Sequence, residues 1–231
     1  MWPVMKPLTL PMPDAVIFDF DGVIVDSEPL HYKAFQGVLE PLGIGFPWEE
    51  YVDSYMGFDD RDAFLEAFRS RGKDLDDRRL AQLVASKSSI FLDIVGNGVR
   101  AYPGTVSLIT SLDASGLPLA ISSGALRSDI LPILDILGIT RCFPHVISAD
   151  DVRKSKPDPE CYLLAFRRLK EAHPLRISTP DRCLVIEDTP AGIRSAKLAG
   201  LSVLAVTNSY GGKQLTEADH LTDSLEKVRI S

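Results

Sequence analysis

Short, unbroken apolar runs limit what this chain can become. They recur at 15–18 (AVIF), 117–121 (LPLAI), 145–147 (HVI), 183–186 (CLVI) and 201–206 (LSVLAV). A strand with one wet face alternates apolar and polar residues. A continuous apolar run implies burial on both faces, as in a parallel sheet covered by helices. Helical patterns over 104–115, 125–137, 159–171 and 190–199 fall between the later runs, and Gly138 and Gly200 follow two of them as stops. Strands alternating with helices at this spacing predict a doubly wound, Rossmann-like parallel sheet, an α/β core.

Residues 27–100 break that rhythm. They hold helical stretches at 60–71 and 78–95 and no convincing strand. The expected organisation is therefore a tail (1–13), an α/β core (14–26 and 101–231) and an inserted all-helical cap (27–100). Ligands of open parallel sheets bind beyond the carboxyl ends of the strands. An insert leaving from the end of the first strand sits over that site. At 231 residues and 45% hydrophobic content the chain can fill one core domain and a smaller partner.

Composition also excludes. A formal net charge of −7 argues against a nucleic-acid partner, which calls for clustered Lys and Arg. No apolar run reaches 18 residues, so no membrane span is expected. The opening MWPVMKPLTLPMP, with four prolines, lacks both the unbroken apolar stretch and the cleavage site of a secretory signal, and reads as an extended tail. Cys142, Cys161 and Cys183 are widely spaced and odd in number, which fits reduced thiols of a cytoplasmic protein. With no CxxC pair, no structural zinc is expected.

The candidate chemistry lies where the apolar runs end. Asp19 and Asp21 close the first run, a position where an uncompensated carboxylate costs several kcal/mol. Two residues apart on an extended chain, their side chains point the same way. Gly22 then lets the backbone approach a bulky group. An Asp-Gly turn with solvated carboxylates is the plainer alternative, and a calcium loop fits badly because its glycine belongs at the sixth position. Ser122, followed by Ser123 and Gly124, offers a hydroxyl and backbone N–H groups ahead of a helix, a favourable place for an anion. Glu187 and Asp188 end another run, and Lys156 lies in KSKPDPE between stiffening prolines. A capping serine, a solvated lysine and a surface acid pair are each ordinary. Together, at the strand ends of one sheet, they point to metal-assisted phosphoryl transfer.

Hard oxygen donors from Asp19, Asp188 and a backbone carbonyl suit Mg²⁺. Ser122 and Lys156 are placed to take phosphate oxygens. Of Asp19 and Asp21, one attacks phosphorus and the other handles the proton, and spacing does not assign which. A proton-carrying Asp21 requires a pKa raised above the ordinary ~3.9 by its carboxylate neighbours and partial burial.

Four motifs in order, DFDGVIVDSE, AISSG, KSKPDPE and VIEDTPAGIRSAKLAG, resemble those of the haloacid dehalogenase-like hydrolases. The resemblance covers about residues 14 to 207 and is nearest the branch of beta-phosphoglucomutases and sugar-phosphate phosphatases. It implies that Asp19 is the nucleophile, forming an aspartyl-phosphate, and that Asp21 is the general acid and base. It further implies that Ser122 and Lys156 hold phosphate, and that Asp19, the Asp21 carbonyl and Asp188 bind Mg²⁺ with help from Glu187. Dehalogenases of the family lack the second aspartate, so Asp21 favours phosphoryl chemistry.

In the cap, His31 matches a histidine that couples closure to catalysis in the mutases, and Lys87 resembles a mutase cap lysine. The plainer readings are a helix-surface histidine and a solvated lysine. Asp60 stands where an ungapped match expects a phosphate-binding arginine, with Arg61 one place out of register. The expectation is an Mg²⁺-dependent, monomeric cytoplasmic phosphatase acting on a small sugar or polyol phosphate ester. A phosphomutase and a non-catalytic metabolite sensor on the same fold are the alternatives.

Overall fold

The computed structural model describes residues 7–56 and 58–231. Six strands form one parallel sheet: β2 (Ala15–Phe18), β3 (Leu119–Ser122), β4 (His145–Ile147), β5 (Cys183–Glu187), β6 (Ser202–Val206) and β7 (His220–Thr222), in spatial order β4-β3-β2-β5-β6-β7. The unbroken apolar runs explain its depth. In β2, Val16 and Phe18 point into one core layer and Ala15 and Ile17 into the other, all fully buried. Helices α5 (Thr105–Ala114) and α6 (Arg127–Ile136) cover the first face, and α7 (Glu160–Ala172) and α8 (Pro190–Leu198) the second. The chain runs outward from β2 through β3 and β4, then returns to the other side of β2 with β5. The carboxyl end of β2 is thus the switch point where such sheets bind ligands.

Two features lie outside the apolar-run reading. β7 is only three residues long with polar ends. Within the stretch read as a tail, β1 (Leu8–Leu10) pairs in parallel with β8 (Val228–Ile230), tying the two ends of the chain together. Residues 1–6 of that stretch lie outside the described residues. Cys142, Cys161 and Cys183 are buried and free. Among the described residues no helix is long and apolar enough to cross a membrane.

Between β2 and α5 the chain builds four helices: α1 (Glu28–Leu39), α2 (Trp48–Ser54), α3 (Asp60–Ser70) and α4 (Asp77–Val95). Asp59 and Asp76 start α3 and α4 by accepting the backbone N–H groups of Asp62 and Arg79, at 2.9 and 2.7 Å. The four helices share an aromatic core of their own. Phe46 stacks on Tyr55 with ring centroids 4.4 Å apart, and Phe35 meets Phe64 edge-on at 5.1 Å. Where the helical unit leaves and rejoins the sheet, the two chain segments are paired. Val25 bridges Ala101, and the Asp26 N–H donates to the Arg100 carbonyl at 3.1 Å.

Phe64 has no solvent exposure. Phe64→Ala is expected to lower the unfolding free energy by about 3–5 kcal/mol. Urea unfolding measures this, and a loss under about 1 kcal/mol would contradict a separately packed cap core.

Candidate active site

The end of β2 turns sharply. The Phe20 carbonyl accepts from the Ile24 and Val25 N–H groups, and the Gly22 N–H donates to the Val25 carbonyl. Gly22 has φ +79°, and a Cβ there would lie 1.9 Å from Asp188 Oδ2. The glycine's close approach is therefore to Asp188, a neighbouring carboxylate of the same chain. This turn leaves Asp19 and Asp21 in different surroundings.

Asp19 joins a buried group with Lys156, Glu187 and Asp188. Lys156 Nζ donates to Asp19 Oδ1 at 2.5 Å, Glu187 Oε1 at 2.8 Å and the Ser122 carbonyl at 3.2 Å. The Lys156 ammonium also lies 4.7 Å from the centre of the Tyr162 ring. Glu187 is the best-satisfied member. Its Oε1 also accepts from the Tyr162 hydroxyl at 3.0 Å, and its Oε2 from the Asp188 and Thr189 N–H groups, both at 2.8 Å. Burial pushes the Glu187 carboxyl up, but Lys156 and these donors outweigh it and hold it below the usual range. Gly192 makes room for this carboxylate: a Cβ there would lie 1.6 Å from Glu187 Oε1.

Asp188 has no such support. Both of its oxygens are buried without a hydrogen bond of ordinary geometry among the described residues, although the Ser209 hydroxyl eases its charge. Burial, then the charges of Glu187 and Asp19, push its carboxyl well above the usual range. Asp19 is likewise raised by burial, against the pull of Lys156, to about 8. Carboxylate oxygens of Asp19, Glu187 and Asp188 lie within 4.8 Å of one another. Three acids facing one lysine leave negative charge that a small, hard cation would offset, and the orphaned oxygens of Asp188 are free to bind one.

The carboxylate of Asp21 is not in that cluster. Its Oδ1 accepts from the Ser27 hydroxyl and lies 3.2 Å from His31 Nε2, while Oδ2 is 3.5 Å from the Ser123 hydroxyl. Burial raises the Asp21 carboxyl, but the hydrogen bonds from His31 and the Ser27 hydroxyl outweigh it. The pKa is lowered, opposite to the rise expected from carboxylate neighbours, because the nearest groups are donors.

Ser122 is fully buried and its hydroxyl has no partner among the described residues. The N–H groups expected to receive an anion ahead of α6 are partly spent. Ser123 N–H donates to the Ile147 carbonyl, Ala125 N–H to Ser123 Oγ, and Arg127 N–H to Asp150. Gly124 lines the cavity beside them.

Neither cap residue is solvated. His31 stacks on Phe91 at 4.2 Å between ring centroids, and Lys87 has no exposure. Lys87 Nζ donates to His31 Nδ1 at 2.6 Å and to Asp60 Oδ1 at 2.7 Å. Because Nδ1 accepts that bond, Nε2 carries the hydrogen toward Asp21. Asp129 on α6 completes the junction, accepting from the Ser88 hydroxyl at 2.6 Å and lying 3.8 Å from Lys87 Nζ. Ser155, next to Lys156, donates to Asp59 at the start of α3. Tyr162, Thr189 and Asp129 were not singled out from sequence. Tyr162 lies six residues beyond Lys156 and Thr189 directly follows Asp188, but Asp129 carries no local signal.

A cavity of about 80 Å³ lies between cap and sheet, lined by Asp19, Asp21, Lys156 and Glu187 below and by Glu28, Tyr51, Phe58 and Asp60 on the cap side. Sheet, switch point, buried carboxylates and helical lid together define a hydrolase with a doubly wound, Rossmann-like core and an inserted helical cap. The chain belongs to the haloacid dehalogenase-like hydrolase family, whose model matches residues 16–206, and it lies close to the CbbY and beta-phosphoglucomutase-like phosphatase branch. It is 30% identical over 210 residues to the phosphorylated carbohydrates phosphatase of Thermotoga maritima, covering 89% of this chain and 91% of that one. It is 29% identical over 224 residues to hexitol phosphatase A of Escherichia coli, covering 93% of each. A crystal structure of a CbbY variant from Rhodobacter sphaeroides with xylulose-1,5-bisphosphate superposes with a TM-score of 0.84 at 25% identity, over 95% of this chain and 97% of that one.

Carboxyls whose pKa is raised on folding add stability that is present below their unfolded value and lost as pH rises through the folded one. Asp19 and Asp188 are raised, so with divalent cations chelated the melting temperature is expected to fall between about pH 4 and pH 8. Melting curves across that window check this. A flat or rising profile would show that the cluster is compensated within the chain.

Proposed function

We propose that this protein is an Mg²⁺-dependent phosphatase that hydrolyses a small sugar or polyol phosphate through an aspartyl-phosphate on Asp19. The orphaned oxygens of Asp188, next to Asp19 and within reach of the cluster held by Lys156, carry this reading. Asp19 and Asp188, with the backbone carbonyl of Asp21 and Glu187 assisting, would hold the ion. Bound there, Mg²⁺ supplies positive charge that offsets the carboxylates and the phosphate oxygens.

The remaining work falls to side chains. Asp19 attacks phosphorus, and the bond to the leaving oxygen breaks as Asp21 gives that oxygen a proton. Water then attacks the phosphoryl group, passes a proton to Asp21 and frees Asp19. The unpartnered Ser122 hydroxyl and Lys156 hold phosphate oxygens, with Ser123 and Gly124 flanking them. A bound phosphate dianion raises the Asp21 carboxyl from its depressed value, which prepares it to donate.

Small-molecule sites usually occupy about 300–1,000 Å³, well beyond the space between sheet and cap. The cap of residues 27–100, paired to the core at Asp26 and Arg100, lifts to admit the substrate. The curated relatives named for phosphorylated carbohydrates and hexitols support the substrate class. Three buried free thiols accord with a reducing cytoplasm. A mutase is the second reading, favoured by the chain Lys87–His31–Asp21, which joins the cap to the proposed acid–base group.

With Mg²⁺ the protein is expected to release phosphate from p-nitrophenyl phosphate and from sugar phosphates, and chelation to stop it. Asp19→Asn is expected to lower the rate by more than about a thousandfold. No turnover of any phosphoester sinks the proposal, and binding without turnover favours a sensor. Efficient conversion of β-glucose 1-phosphate to glucose 6-phosphate, dependent on a bisphosphate primer, makes it a mutase.

A further inference from the structure

The cap side of the cavity has a fully buried lysine close at hand, and that charge is already engaged. Lys87 Nζ has no solvent exposure and is 2.7 Å from Asp60 Oδ1 and 2.6 Å from His31 Nδ1. Its charge also rests 5.1 and 4.9 Å from the ring centres of Phe35 and Phe91. Asp60 is part of the cavity lining, and its other oxygen, Oδ2, is buried and makes no hydrogen bond among the described residues. The other acids of that wall are Glu28, which accepts from the Tyr51 hydroxyl at 2.5 Å, and Asp59, which accepts from Ser155. Among the described residues the cavity lining holds one lysine, Lys156, which belongs to the opposite wall, and one histidine, His31, whose Nε2 is turned to Asp21.

A second phosphate at the far end of a substrate would meet carboxylates and a lysine whose charge Asp60 already cancels. Juxtaposed like charges in such a site oppose binding. A hydroxyl group would instead find in Asp60 Oδ2 an acceptor that no hydrogen bond among the described residues occupies, buried in the closed cap and reached by a small turn of the carboxylate. Resting on the phosphatase reading, we propose that Asp60 sets the substrate class. It neutralises Lys87 and offers its free oxygen to a hydroxyl, so the enzyme takes phosphate monoesters whose leaving group bears hydroxyls and no second anion. Asp60 is thus a specificity-determining residue, acting against bisphosphates through Lys87.

Phosphate release with Mg²⁺ from fructose 6-phosphate and fructose 1,6-bisphosphate tests this. For the wild type, kcat/KM is expected to favour the monophosphate by about tenfold or more. Asp60→Asn removes the nearer of the two carboxylates beside Lys87, leaving Asp129 at 3.8 Å, and is expected to narrow that ratio by about tenfold, with Asp60→Glu restoring it. A merely structural loss lowers both rates and leaves the ratio in place, which would overturn the role of Asp60. Equal use of both sugars by the wild type overturns the substrate class while leaving a phosphatase. Failure to turn over any ester overturns the phosphatase reading, and this inference with it. Should Asp60→Asn not fold, inhibition of wild-type p-nitrophenyl phosphate hydrolysis decides. Fructose 6-phosphate is expected to inhibit at concentrations about tenfold below the bisphosphate, and the reverse order refutes the proposal.

Discussion

Three carboxylates and one lysine, buried together at the mouth of a parallel sheet, are the constraint that the rest of the molecule answers to. Lys156 reaches Asp19 and Glu187 at once, and Glu187 is held on both oxygens by Tyr162, Thr189 and the backbone of Asp188. The surrounding chain yields to this group. Gly22 and Gly192 each stand where a Cβ would strike a carboxylate of the cluster. Asp188 has only the Ser209 hydroxyl to ease its charge among the described residues, so ionising it in place carries an electrostatic cost. A small cation between these carboxylates would offset that cost, which is how the stability of the cluster and the proposed chemistry are connected.

The cap answers a different problem. Its aromatic core lets four helices pack among themselves, while toward the sheet domain Ala34, Phe91 and Val95 join the apolar core beneath and polar links add to them: Ser88 with Asp129, Ser155 with Asp59, and His31 with Asp21. Hydrogen bonds of this kind contribute modestly, because water replaces them when the surfaces part. The same bonds give the cap a direct hold on Asp21, so its position and the state of that carboxyl are connected.

The main sheet was largely legible because burial on both faces demands continuous Val, Ile and Leu, which short runs display openly. The observed helices of the core begin and end within two residues of the expected ones. β7 escaped because three residues with polar ends carry too little pattern, and β1 because its partner lies at the other end of the chain. Gathering Asp19, Lys156, Glu187 and Asp188 was readable from strand ends. The depressed carboxyl of Asp21 was not, since it depends on donors from Ser27 and His31 that the hinge and α1 bring near.

Sequence by itself determined the doubly wound sheet, the helical insertion and the row of acids, hydroxyls and lysine at the strand ends, because each follows from local periodicity and from where apolar runs stop. Tertiary structure alone decided how the charges are shared. Whether Lys87 faces solvent, a substrate or Asp60 depends on the packing of α1, α3 and α4 around it, and its nearest partners lie 27 and 56 residues away in the chain. Which carboxylate is paired and which is left bare likewise follows from distances of 2.5 to 4 Å across the fold, a scale that residue spacing does not encode.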